Sequence, residues 1–151
     1  MVLNKTILIL EDDLRTLSKL LEKLSKLEDD QPYSFSLIIL TDYIMVEEFI
    51  NKDPMPKIDL ILLDRDCKLG GSFHVLDIEK IGAKKIIAIS SVPEYNQEAK
   101  KRGIKKIVQK DYAMLEKFSD DVIQEIENFL RPSWLNLRWL DKTRKSDNIT
   151  L

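Results

Sequence analysis

Polar side chains that can bind a cation or a phosphoryl group directly follow four short apolar runs of the chain. They stand at positions 11–13 (EDD), 64–66 (DRD), 90–91 (SS) and 110–111 (KD). Carboxylates gathered in one place repel each other and lose hydration unless a cation joins them. Oxygen ligands alone favour Mg²⁺, which binds through one or two carboxylates together with phosphate oxygens. If they converge, these residue types predict a magnesium site that handles a phosphoryl group.

Three of these residues have side chains suited to phosphoryl transfer. Asp64 can act as a carboxylate nucleophile that forms an acyl phosphate. Lys110 supplies an ammonium that, with a metal, neutralises charge on the transferring group. The hydroxyl of Ser90 can donate a hydrogen bond to a phosphoryl oxygen. Each of them alone is more often a helix cap or a solvated turn, so the prediction depends on the whole set.

The elements that position these residues alternate along the chain. Apolar runs predict strands at residues 5–10, 35–40, 58–63, 85–89 and 104–108. Apolar residues at helical spacing predict helices at residues 14–27, 45–50, 73–81, 95–102 and 119–130. This alternation is typical of an α/β fold with a doubly wound, five-stranded parallel sheet and helices on both faces. Ligands of such sheets bind at the carboxyl ends of the strands, where all four polar segments are expected.

Length, charge and cysteine content exclude several classes of protein. The 151 residues predict one domain at 1–131, followed by a tail at 132–151 that has room for one extra helix before a frayed end. A formal net charge of −2 offers no broad attraction for nucleic acid or anionic lipid. The apolar runs are shorter than the roughly 20 residues that cross a bilayer, and no signal pattern begins the chain. With Cys67 as its single cysteine, the protein is expected in the cytoplasm.

Four segments of the chain resemble the receiver (CheY-like) domain of two-component response regulators. They are ILILEDD, DLILLDRD, KIIAISS and GIKKIVQKD, and the likeness extends from residue 5 to residue 130. The resemblance implies a flavodoxin-like fold and phosphorylation by a histidine kinase or a phosphotransfer protein of a phosphorelay. It implies no enzyme activity beyond self-catalysed phosphorylation and dephosphorylation. With no DNA-binding domain following, we expect a stand-alone receiver that acts on an unidentified downstream protein.

The resemblance also implies a role for each residue of the predicted site. Asp64 is the phospho-acceptor, Ser90 and Lys110 match the family's hydroxyl residue and lysine, and Mg²⁺ is bound by Glu11, Asp12, Asp64 and the backbone carbonyl of Asp66. Two positions depart from the family's pattern. Ile107 stands where the fifth strand usually carries an aromatic residue, and Asp111 stands where a proline usually follows the lysine. These departures predict an output through loop or tail movement instead of the usual rotation of an aromatic side chain.

Two other functions fit parts of the sequence. A phosphorylation-independent docking module would keep the fold and bind partners through its helical faces. Asp64-Arg65-Asp66 also looks like the Asp-x-Asp motif of haloacid-dehalogenase-type phosphatases, with Asp64 as nucleophile and Asp66 as general acid and base. Those phosphatases carry the motif on their first strand and take their metal acids from a strand after the lysine. Here the acids come much earlier, at residues 11–13.

Three further residues are interpreted as structural. His74 is the only histidine and faces no acids in the predicted helix, so we expect it to be a packing or surface residue. Trp134 and Trp139 lie in the tail, whose apolar residues are expected to pack back on the domain rather than bind a partner.

Overall fold

A five-stranded parallel sheet forms the centre of the computed structural model, which describes residues 2–131. Its strands are β1 (Leu3–Leu10), β2 (Tyr33–Leu40), β3 (Leu60–Leu63), β4 (Ile86–Ala88) and β5 (Lys106–Ile107). The helices are α1 (Leu14–Asp30), α2 (Tyr43–Phe49), α3 (Ile78–Ile81), α4 (Pro93–Lys101) and α5 (Leu115–Leu130). The strand order is β2-β1-β3-β4-β5 with parallel pairing throughout, which confirms the predicted doubly wound α/β fold. The expected packing of the tail, with Trp134 and Trp139, lies outside the described residues.

Both faces of the sheet are covered by helices. Successive strand residues point to opposite faces, so β1 and β3 contribute side chains to two separate cores. One core contains Leu8, Leu10, Ile61 and Leu63 together with residues of α2 and α4. The other contains Ile7, Ile9, Leu60 and Leu62 together with residues of α1 and α5. Strands buried on both faces have almost uniformly apolar sequences, which is why the central strands could be recognised.

The local sequence determines where the helices next to the site begin. Helix α1 begins at Leu14 because the Asp13 carboxylate accepts a hydrogen bond from the backbone N–H of Thr16 at 3.0 Å. Helix α4 begins at Pro93, a residue favoured in the first turn because its fixed φ suits a helix. Both helices therefore begin within a few residues of a strand end. Within residues 2–131, no helix combines the length and the apolar character needed to cross a bilayer.

The predicted helix at residues 73–81 is wrong in its first half. The chain instead forms a 3₁₀ turn over Phe73–Val75, then α3, which has only four residues. The Ser72 hydroxyl caps the 3₁₀ turn, and the Asp77 carboxylate caps α3 by accepting from the backbone N–H of Lys80. Each of these side chains competes with a continuous helix by starting a new one.

Candidate functional site

The strand ladder itself brings Glu11 and Asp64 to the same edge of the sheet. Glu11 follows β1 directly and Asp64 follows β3 directly. The backbone N–H of Asp64 donates to the carbonyl of Leu10 at 3.0 Å, so the pairing of β1 with β3 continues to the acceptor. The backbone N–H of Lys110 donates to the carbonyl of Ser90 at 3.1 Å, which continues the pairing of β4 with β5. The predicted convergence at the carboxyl edge is therefore present in the backbone.

Three carboxylates lie together at this edge. Glu11, Asp12 and Asp64 each offer an oxygen, and these oxygens all lie within 4.8 Å of one another. Glu11 is fully buried and Asp64 is 6% exposed, whereas Asp12 is half-buried. Backbone N–H groups orient the two buried groups: Asp13 donates to Glu11 Oε1 at 2.9 Å, and Arg65 donates to Asp64 Oδ1 at 2.8 Å.

Lys110 lies buried beside this cluster and binds two of its members. Its Nζ donates to Glu11 Oε2 at 2.5 Å and to Asp64 Oδ2 at 3.0 Å. When ionised, three carboxylates beside one ammonium leave two negative charges, which one divalent cation would balance. The donors are all oxygens, which suits a hard cation such as Mg²⁺ or Mn²⁺. The residues present therefore fit a divalent metal site.

The pKa values of the buried groups reflect their burial and the charges around them. Burial, reinforced by the nearby Asp64, raises the pKa of Glu11 to about 7 despite the opposing effect of Lys110. Burial likewise raises the pKa of Asp64, although Lys110 and the Arg65 N–H favour its charged form. Burial alone would lower the pKa of Lys110, but Glu11 and Asp64 outweigh it and raise that pKa above its usual range. A cation bound between the carboxylates would relieve their cost of ionisation.

Ser90 lies at the carboxyl end of β4, the strand next to β3 in the sheet. Ser90 is buried, and its Oγ accepts a hydrogen bond from the backbone N–H of Val92 at 3.2 Å. Its carbonyl accepts from Lys110, as described above, and also from Asn96 Nδ2 on α4 at 3.0 Å. The serine is thereby joined to the lysine of the site on one side and to α4 on the other.

Asp66 is placed differently from the other predicted site residues. Its side chain is 61% exposed and its Oδ1 accepts from Arg65 Nη1 at 3.0 Å. Within residues 2–131, the three-carboxylate cluster contains Glu11, Asp12 and Asp64 but not the Asp66 side chain. This arrangement disfavours the Asp-x-Asp phosphatase interpretation, in which both aspartates act on the same phosphoryl group. In the receiver interpretation, only the backbone carbonyl of Asp66 is a predicted metal ligand.

The two positions that depart from the receiver pattern have clear structural roles. Ile107 is half-buried and packs against the core that contains residues of α2 and α4. Asp111 is exposed, and its Oδ1 accepts from the backbone N–H of Ala113 at 2.9 Å, which starts a 3₁₀ turn before α5. His74 is half-buried in the 3₁₀ turn after Ser72, in agreement with a packing histidine.

Two residues near the site were missed in the sequence. Arg65 follows the acceptor and stacks on Tyr95, whose ring centroid lies 4.1 Å from the guanidinium carbon. Asn96 is 4% exposed and holds the Ser90 carbonyl. Asn96 lies inside a predicted helix, and a polar residue there does not by itself indicate a buried contact. The position of Arg65 directly after Asp64 was the only available hint.

Solved structures of response regulators superpose on most of this chain. The Mn²⁺-bound form of the response regulator Rcp1 matches with a TM-score of 0.65 and 20% identity, over 85% of this chain and 96% of that one. The chain has the receiver fold. The receiver fold is also shared with the phosphorylated cyanobacterial phytochrome response regulator RcpA, at a TM-score of 0.65 and 16% identity over 83% of this chain and 93% of RcpA. A receiver domain from Rhodospirillum rubrum matches at a TM-score of 0.55 and 14% identity, over 76% of this chain and 90% of that one.

These likenesses confirm the receiver fold implied by the sequence segments. Searches with the sequence itself find no matching family model and no matching curated protein. At identities of 20% and below, what these proteins share with the chain is the fold.

Proposed function

We propose that this chain is a receiver domain that accepts a phosphoryl group on Asp64 and acts as a signalling switch. One observation carries the proposal. The buried ammonium of Lys110 binds both Glu11 and Asp64, and the carboxylates of Glu11, Asp12 and Asp64 offer oxygens within 4.8 Å of one another. Such a concentration of buried charge is costly for stability and is typical of functional sites.

The metal of the proposed site is Mg²⁺. Glu11, Asp12 and Asp64 would hold it with their carboxylates, and Asp66 would add its backbone carbonyl. The uncompensated charge and the oxygen donors of the cluster support this choice. A bound divalent cation would neutralise part of the charge on the transferring phosphoryl group.

The protein's own residues supply the other parts of the reaction. A carboxylate oxygen of Asp64 attacks the phosphorus and forms an acyl phosphate, while the bond from phosphorus to the donor atom breaks and its electron pair leaves with the donor. Lys110 stabilises negative charge on the transferring group, and the Ser90 hydroxyl donates to one of its oxygens. Attack of water on the same phosphorus later restores the Asp64 carboxylate and releases inorganic phosphate.

The proposed donor is a phosphohistidine on a histidine kinase or a phosphotransfer protein in the cytoplasm. The resemblance of the sequence segments to receivers and the shared receiver fold support this class of donor. The output would be contact with a downstream protein, without turnover of any other substrate and without binding to nucleic acid or membrane.

Incubation with Mg²⁺ and acetyl phosphate or phosphoramidate, followed by intact-mass measurement, tests the proposal. We expect the mass of one phosphoryl group to be added to the wild type and none to be added to Asp64→Asn. The matched control is Asp66→Asn, which keeps the backbone carbonyl and is expected to retain the adduct. Steady turnover of many phosphate esters that is lost in Asp66→Asn would favour a phosphatase. A wild type without adduct or turnover would favour the docking module.

A further inference from the structure

Arg65 connects the acceptor aspartate to helix α4. Its backbone N–H donates to Asp64 Oδ1 at 2.8 Å, and its carbonyl accepts from the N–H of Phe73 at 2.8 Å. Its guanidinium carbon lies 4.1 Å from the centroid of the Tyr95 ring, and its Nε lies 3.7 Å from Glu98 Oε2. Tyr95 and Glu98 both belong to α4. One residue therefore contacts the reacting carboxylate with its backbone and α4 with its side chain.

The hydrogen-bond donors of the Arg65 guanidinium are only partly satisfied. Its Nη1 donates to Asp66, but its Nε is buried and has no hydrogen-bond partner among residues 2–131. A buried donor without an acceptor costs free energy, so other placements of this guanidinium compete with the observed one. A cation stacked on a tyrosine is likewise a modest attraction that a local change can overcome. The contact between Arg65 and Tyr95 has the properties of one that can rearrange.

A second contact joins the first turns of α4 to the site. Asn96 Nδ2 donates to the Ser90 carbonyl, and the Asn96 Oδ1 is buried without a hydrogen-bond partner within the described part of the chain. Tyr95 and Asn96 are neighbours in sequence, so the same turn faces Arg65 and Ser90. By contrast, Ile107 of β5 is an aliphatic residue packed against the core. Helix α4 thus has contacts toward Asp64 that do not pass through β5.

We propose that Arg65 is a positioning residue that couples the phosphorylation of Asp64 to helix α4 through Tyr95. This inference rests on the proposed function. An acyl phosphate turns the ionised carboxylate into an ester, which is a weaker acceptor for the Arg65 N–H. The backbone at Arg65 then loses its charged partner, and the guanidinium carried by the same residue shifts against the Tyr95 ring. Because coupling between sites is reciprocal, a change at Tyr95 alters the free energy of phosphorylating Asp64.

Hydrogen exchange of the α4 segment, residues 93–101, measures this coupling in the full chain. Exchange is recorded with Mg²⁺ alone and with Mg²⁺ plus acetyl phosphate, and the ratio of the two local opening constants gives a coupling factor. Tyr95→Leu, which removes the ring, is expected to reduce that factor by about two- to thirtyfold. Tyr95→Phe keeps the ring and is expected to retain the factor of the wild type. Arg65→Met keeps the backbone N–H but loses the cation, and should reduce the factor as Tyr95→Leu does.

The matched control is Arg102→Met at the C-cap of the same helix. Arg102 donates to the carbonyls of His74 at 2.8 Å and Leu76 at 3.2 Å, so its loss loosens α4 without changing a contact of Asp64 or Arg65. We expect faster exchange of α4 in both states and an unchanged coupling factor. The inference would be overturned if Tyr95→Leu and Arg65→Met both kept the coupling factor of the wild type. It would also be overturned if Arg102→Met reduced the factor as much as those two variants do. A wild type that forms the adduct with no change in α4 refutes the coupling alone, whereas a wild type without adduct refutes the proposed function.

Discussion

Replacing Lys110 with methionine tests the electrostatics of the site most directly. Methionine fills much of the same space, but it leaves Glu11 and Asp64 buried without the ammonium that binds both of them. Removing one partner of a buried ion pair typically costs about 3–5 kcal/mol because the remaining charge is uncompensated. That is a large part of the roughly 5–15 kcal/mol that stabilises a domain. We therefore expect Lys110→Met to be strongly destabilised when Glu11 and Asp64 are ionised.

The direction in which folding stability changes with pH follows from the pKa of Glu11. Its pKa is raised from 4.5 to about 7, so the folded protein binds a proton more tightly than the unfolded chain does. This contribution to stability is complete below 4.5 and is lost as the pH rises through 7. Loss of Lys110 raises the pKa of Glu11 further, because Lys110 favours the ionised form. The difference in stability between wild type and variant should therefore grow as the pH rises through 7, so that it is larger at about pH 8 than at about pH 5.

Urea unfolding followed by circular dichroism, in the presence of a chelator, measures both effects. The control is Lys117→Met, which breaks an exposed ion pair with Asp121 and is expected to change the free energy of unfolding by less than about 1 kcal/mol. Addition of Mg²⁺ should restore part of the stability of Lys110→Met, since a cation replaces the missing charge. A loss that is equal at both pH values, or smaller than about 1 kcal/mol at the higher pH, would refute this account of the site.

Three further predictions concern folding stability. Burial lowers the pKa of His74 from 6.5 to about 4. The contribution of His74 to the free energy of unfolding should therefore be complete above pH 6.5 and fall by up to about 3 kcal/mol as the pH decreases to 4. In urea titrations, His74→Asn should flatten this part of the pH profile. An added Cβ at Gly71 would overlap the Tyr43 ring, so Gly71→Ala should cost about 1–3 kcal/mol, and an unchanged thermal midpoint would contradict the packing. Asp13→Ala removes the cap on the Thr16 N–H and should lower the unfolding free energy by about 1 kcal/mol, with less helical circular dichroism if α1 frays.

The sheet and the convergence of the site were predictable for one physical reason. Strands buried on both faces must be apolar throughout, so a run such as residues 58–63 is readily recognised and its end is marked by Asp64. The carboxyl ends of parallel strands share an edge, which is why Glu11 and Lys110 could be expected beside Asp64. The proximity of the three residues is a consequence of topology alone.

Other features depend on interactions that a linear pattern does not contain. The break in the predicted helix at 73–81 comes from capping by Ser72 and Asp77, which a count of apolar spacings does not register. The contact of Arg65 with Tyr95 joins residues on different elements, and its geometry follows from how α4 packs on the sheet. The fully buried state of Lys110 depends on Glu11 and Asp64, which the ends of two other strands contribute.

The short third helix has a consequence for how the domain opens. In a longer helix the carbonyl of His74 would bind a backbone N–H group of the same helix, but here it accepts from the side chain of Arg102, which also donates to the carbonyl of Leu76. Two hydrogen bonds from one side chain therefore join residues 74–76 to the C-terminal end of α4, and we expect these two segments to open together. We expect a fluctuation that detaches this end of α4 to expose both segments to solvent, while β1 and β3 remain folded.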